Sequence, residues 1–268
     1  MEANHRNLGY ANRLRALGPD RNNLGSQSMT TTQQVLDRAR HALASEPRLD
    51  LHRFPLSLAF DGQTLTIEGE VGDIAAKKLA LERAAALPEV AGIIDRLRVQ
   101  PAQPMGDREI RDHLANAFQG EPAFTDLELV EKDGERTLVL HRPDEAAGRI
   151  EFAAADGVVT LDGRVPTLAR KRLAGVLAWW VPGSRDVVNG IAVEPPEEDS
   201  PDAIEDAVAL VLDRDPFVDG SQIRVGVRHA VVHLTGLVPT ESERDMAEFD
   251  AWYVFGVDKV INDIEVRA

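Results

Sequence analysis

The sequence predicts an α+β protein of three tandem α-β-β-α-β units, each a small mixed three-stranded sheet covered by two helices, the second with an inserted hairpin. Three observations carry this. Residues 65–71, 159–165 and 231–238 each alternate apolar and polar side chains through a glycine (Gly69, Gly163, Gly236), the period of a strand with one buried face. Other features recur at fixed distances from those glycines, which is the signature of an internal repeat. Upstream of each strand an amphipathic stretch ends in an acid and a proline, Glu46-Pro47, Glu121-Pro122 and Asp215-Pro216. Proline cannot continue a helix and biases its predecessor away from one, so each pair is a stop signal.

Four residues beyond the glycines stand Asp73, Thr167 and Thr240, which suit a helix N-cap, and Thr240 with Glu243 has the spacing of a capping box. Ala80, Ala174 and Ala247 follow at plus eleven, and Leu79, Leu173 and Met246 at plus ten, on one helical stripe. Gly183 and Gly256, twenty after the glycine, suit left-handed helix ends, where the first copy has Glu89. A second alternating strand closes each copy around Asp95, Asn189 and Asn262, with the two asparagines placed on its solvent side. The strand glycines suit a bulge or a close backbone approach, with ligand contact as the other reading.

From proline to glycine the second copy is about 20 residues longer than the others, which predicts an added hairpin at about 125–145 around Asp133-Gly134. The expected domains are a disordered, polar segment 1–31, with a start at Met29 as one option, and units 32–100, 105–195 and 200–267. A stiff Pro101–Pro104 linker and an acidic 194–199 linker separate the units. Thr31-Thr32-Gln33-Gln34 supplies a cap for the first helix, and Ser200-Pro201 opens the last copy as a cap followed by proline.

A unit of this order, with Leu234-Thr235-Gly236-Leu237-Val238 and a closing run Gly256-Val257-x-x-Val260-x-Asn262-x-Ile264-x-Val266, resembles the BON domain, named for bacterial osmotically inducible and nodulation proteins. The resemblance covers about residues 32–267 and is fullest in the third copy; the first departs at Glu89 and Asp95, and the second by its insertion. It implies a non-enzymatic binding or interaction protein of bacterial stress-response type, associating with phospholipid or an envelope protein. A potassium-responsive cytoplasmic role and a protein–protein scaffold are the alternatives it leaves open.

The residues themselves offer no catalytic constellation. There is no cysteine, the seven histidines form no His-Glu-x-x-His pair, and no nucleophile elbow or phosphate-binding glycine loop occurs. The net charge of −15 repels nucleic acid and anionic lipid at long range. That charge concentrates in residues 197–268, with six Lys and Arg against seventeen Asp and Glu, so a cation or basic partner is expected there. Asp202, Glu205, Asp206, Asp213, Asp215 and Asp219 are the candidate holders of a weakly bound monovalent or divalent cation, with a solvated helix face as the plain alternative. No other cofactor is expected.

Trp179, Trp180, Trp252 and Tyr253 end the second helices of copies two and three. They suit either packing between copies or a half-wet partner or membrane surface, in which case Arg170, Lys171, Arg172 or Arg244 would meet head groups. No run of about 18 apolar residues predicts a transmembrane helix. Residues 1–28 lack the apolar stretch of a secretory signal, so a cytoplasmic location is expected, against the periplasmic one that the resemblance suggests.

Overall fold

A computed structural model of the chain describes residues 31–267, and the expectations for residues 1–30 lie outside it. The chain divides into two compact units, Met1–Gln100 and Pro101–Ala268. The first holds α1 (Thr32–Ala44), β1 (Ser57–Phe60), β2 (Thr64–Val71), α2 (Ile74–Ala85) and β3 (Gly92–Val99). Its sheet has the order β1-β2-β3, with β1 antiparallel and β3 parallel to the central β2. Thr31 and Gln34 make a reciprocal capping box at α1, and Asp73 caps α2. Leu65, Ile67 and Leu97 of the sheet and Val35, Ala39, Leu43, Ala80 and Ala84 of the helices are buried together on the face that alternation assigns to the core.

The second unit begins with α3 (Asp107–Gly120), β4 (Leu127–Asp133), β5 (Arg136–His141), β6 (Gly148–Ala155), β7 (Val158–Val165), α4 (Leu168–Trp179), β8 (Asp186–Asn189) and β9 (Ala192–Val193). The expected three-stranded sheet is here six-stranded, because β4 pairs parallel with β6 and carries β5 outward, giving the order β5-β4-β6-β7-β8 with β9 also on β7. The hairpin pairs Asp133 with Arg136, so its turn is Gly134-Glu135, one residue later than Asp133-Gly134. The last strand, expected as continuous, breaks at Gly190-Ile191, where the Gly190 N–H still donates to the Leu161 carbonyl at 2.8 Å. Phe118 packs edge-on against Phe124 and Phe152 at 5.5 and 5.4 Å, filling the wider core that the added strands create.

The same unit continues with α5 (Pro201–Arg214), β10 (Ile223–Arg228), β11 (Val231–Val238), α6 (Glu241–Tyr253) and β12 (Lys259–Val266), in a sheet of order β10-β11-β12 with the directions of the first unit's sheet. Thr240 caps α6, but the expected box does not close: the Glu243 carboxylate accepts the Asp219 N–H at 2.8 Å instead. Gly256 has φ 96°, as a left-handed helix end requires, whereas Gly183 does not have a positive φ. At Gly183 the constraint is space, since a Cβ there would meet Ile110 at 3.0 Å. Among the described residues no helix is long and apolar enough to cross a membrane.

The three strand glycines have φ values of 146°, 112° and 154° at Gly69, Gly163 and Gly236. Each lies against the antiparallel neighbour: a Cβ would press on Leu56 and the Pro55 carbonyl, on the Arg149 carbonyl, and on the Gln222 carbonyl respectively. Both the backbone conformation and the space therefore exclude a side chain. Gly236→Ala should lower stability by roughly 3 kcal/mol, the upper end of the cost of one strained backbone position. Gly226→Ala in β10, where nothing lies within 4 Å and φ is not in the left-handed region, should leave the urea midpoint nearly unchanged.

Candidate functional site at the junction of the second and third segments

Helix α4 packs on α5 and α6, and the side chains that distinguish the copies meet there. Arg172 of α4 is 1% exposed. Its guanidinium donates to the Phe255 carbonyl at 2.9 Å, to the Ala203 carbonyl at 3.3 Å and to the Asp199 carboxylate at 2.5 Å. One side chain thus holds the acidic linker, the start of α5 and the α6–β12 turn. The aromatic pairs lie beside it. Trp179 stacks on Tyr253 at 5.7 Å with 15° between the rings. Trp252 is 1% exposed, with its indole N–H toward Glu248, and the Trp180 N–H donates to Asp250 Oδ1 at 2.8 Å.

Asp250, 3% exposed, has no N–H donor at its second oxygen among the described residues and lies against Asp215, the acid before the proline that ends α5. Burial first, and then the Asp215 charge, push its carboxyl up to about 8, against the lowering effect of the Trp180 bond. With its proton retained at neutral pH, Asp250 can donate to Asp215. In the first unit the same two positions hold Glu46 and Arg83, joined at 2.9 Å. Glu121, the third acid of this kind, faces Arg214 at 3.7 Å.

The remaining candidates are dispersed. Asp202, Asp206 and Asp213 lie exposed along α5, Glu205 accepts the Val227 N–H at 3.3 Å, and Asp219 accepts from Ser221. Among the described residues no three acids or histidines converge into a metal site. The cations proposed for head groups are engaged within the chain: Arg170 with Asp126 at 3.0 Å, Arg244 with Asp245 at 2.8 Å, Arg172 as above. Lys171 sits 5.5 Å over the Phe255 ring, its ammonium pKa lowered by burial and then by Arg172.

The asparagines correct the expectation of a solvent-facing position. Asn189 Nδ2 donates to the Lys171 carbonyl at 2.8 Å and Asn262 Nδ2 to the Arg244 carbonyl at 3.1 Å, while each side-chain oxygen accepts the N–H two residues on. Each clamps the closing strand to the second helix. In the first unit Asp95 makes the clamp through Lys77, at 3.0 Å, and Lys77 reaches the Leu97 carbonyl at 2.8 Å. Sequence reasoning also passed over Asp250; the signal was its alignment, fourteen after the strand glycine, with Arg83 and Leu177.

Two outcomes follow for the junction. Because the folded Asp250 binds its proton more tightly than the unfolded chain does, its effect is to make stability fall as pH rises from about 4 to about 8, by at most ~1.4 kcal/mol per unit. Asp250→Asn should keep the Trp180 bond, raise the melting temperature at pH 8, and show a shrinking advantage as pH falls toward 5. Arg172→Met should lower stability by about 3–5 kcal/mol in urea unfolding, since it leaves the Asp199 charge and two carbonyls without their donor.

Against known proteins, the family model described as the BON domain matches residues 135–195 and 200–268. No curated protein sequence matches the chain. Among solved structures, the C-terminal domain of CdsD, the structural protein of the type III secretion system of Chlamydia trachomatis, is 13% identical over 91% of this chain and 100% of that one, with a TM-score of 0.23. A second structure of CdsD is 14% identical over 87% of this chain and 92% of that one, also with a TM-score of 0.23. Likeness at that level does not relate the folds. Residues 31–100 lie outside the family match but repeat its element order and sheet order. Over its matched residues, which span β5–β9 with α4 and then α5 to β12, the chain belongs to the BON domain family.

Proposed function

We propose that the chain is a non-catalytic binding protein built from three copies of the BON unit, and that it associates with phospholipid at the cell envelope. The family match over residues 135–195 and 200–268 is the observation that carries this reading. The placement of polar groups is consistent with it. The buried Arg172 and the half-buried Asn189, Asn262 and Trp180 all bond across from one element to another. The aromatic helix ends pack largely within the second unit, which leaves the outer faces of the sheets, along with the exposed Phe217 and Phe255, as surfaces for lipid.

A protein partner is the second reading, and β5 favours it. This edge strand of the six-stranded sheet exposes Leu138 at 57% and Val139 at 39%, with one side of its backbone unpaired in the sheet. Such an edge can accept a strand from another chain.

Flotation of the full chain with vesicles separates the two. Vesicles of phosphatidylglycerol in phosphatidylcholine should carry the protein upward at low salt, and pure phosphatidylcholine should carry much less. Failure to float with any vesicle, at low or physiological salt, would sink the lipid reading and leave β5 as the surface to pursue.

A further inference from the structure

We infer that the outward face of the β10-β11-β12 sheet, at its hairpin end, is the surface that meets anionic lipid head groups. The inference rests on the lipid reading above and names the site for it. Val232, Leu234 and Val238 of β11 are buried under the helices, so by the alternation of a strand Val231, His233, Thr235 and Leu237 point away from them. The registers then fix the rows across the face: Arg228, Val231 and Lys259 in the first, Gly226, His233 and Ile261 in the second, Arg224, Thr235 and Asp263 in the third.

Three of the six Lys and Arg in residues 197–268 are thereby gathered on one face of the most acidic part of the chain. Arg224, Arg228 and Lys259 are exposed, and among the described residues none of them makes an ion pair. Of the acids of that face, Asp263 shares the row of Arg224 and Glu265 lies beyond it, so Arg228 and Lys259 at the hairpin end stand clear of both. Cations without partners on an open sheet, with Val231 and Ile261 between them, fit a plane of phosphate groups above acyl chains better than they fit solvent alone.

The other copies supply an internal control. The rows corresponding to the first one hold Ala155, Val158 and Asp186 in the second segment, and Thr64 with Gly92 in the first unit. Further along the first unit's sheet Arg96 is paired, with Glu68 at 3.3 Å. The cations of the third sheet are therefore no requirement of the fold. The turn differs as well. Where the other copies have Asp61-Gly62 and Asp156-Gly157, the third has His229 and Ala230, with φ 51° and 61°. Asp156 is left-handed as well, at φ 53°, so the difference rests on Ala230, which lacks the freedom of the glycine at that position, and backbone strain of this kind concentrates at functional surfaces.

The net charge of −15 opposes approach to an anionic membrane at long range. At physiological ionic strength, however, charges are screened over about 8 Å, so the face presented decides the contact. Binding through this face must accordingly weaken steeply with salt.

The test compares the full chain with the variant Arg224→Gln/Arg228→Gln/Lys259→Gln in flotation on phosphatidylglycerol-containing vesicles. A control, Arg40→Gln/Arg96→Gln/Arg108→Gln, removes the same charge from elsewhere. Melting curves of all three confirm folding, since every substituted side chain is at the surface. The expected result is at least a tenfold loss of vesicle affinity in the first variant and under twofold in the control. Equal flotation of wild type and the first variant would overturn this face while leaving the lipid reading intact. Equal losses in both variants would overturn it in favour of a general charge effect. A wild type that ignores vesicles but is retained on polyglutamate, through the same three residues, would overturn both and make the face a site for an acidic protein.

Discussion

The second unit depends on a buried cation. Arg172 lies in the middle of α4, where the other copies carry Lys78 and Asp245, and it is answered by a carboxylate of the linker and two main-chain carbonyls of the third segment. A buried guanidinium is tolerable only when its donors are met, and the groups that meet it cannot do so unless the linker, α5 and the α6–β12 turn are all in place. The interaction therefore favours one arrangement of two similar segments over the alternatives that apolar packing alone would allow. The stack of Trp179 on Tyr253 and the bond from Trp180 to Asp250 then form on a junction already oriented.

Each copy handles the same structural problem with different chemistry. The acid that ends the first helix is buried in every case, at Glu46, Glu121 and Asp215. The first unit neutralises it with an arginine from α2, the second segment draws Arg214 from its neighbour, and the third pairs it with a second acid and so keeps a proton. The helix-to-strand clamp varies in the same way, with an amide in two copies and an ammonium–carboxylate pair in the other. The order of helices and central strands is shared, while the polar groups that support it differ.

The sequence made the backbone order of each segment legible because strand alternation, cap residues and acid–proline stops are local signals. Thr31, Asp73, Thr167, Ser200 and Thr240 all cap the helices that their spacing indicated. What depended on contacts distant in sequence was hidden. Whether Glu243 closes its own box or reaches Asp219, whether the inserted hairpin stands apart or joins the sheet, and whether Asn262 faces water or a helix are decided by neighbours 14 to 24 residues away or more. Net charge was legible but its placement was not: only strand register shows that Arg224, Arg228 and Lys259 share a face, with Arg228 and Lys259 in a row that holds no acid.

The inserted hairpin has an effect on how such a chain reaches its native state. Tandem units of one topology can exchange equivalent strands while folding, and misassembly between neighbours is the characteristic failure of repeat proteins. In the first and third sheets the opening strand has one unoccupied edge, β1 and β10, but in the second the equivalent strand β6 is already paired on both sides, with β4 and β7. A strand so enclosed offers no edge to a neighbouring copy. In the middle segment exchange at that strand is closed, and the open edge passes instead to β5, an added strand with no counterpart in the other two sheets.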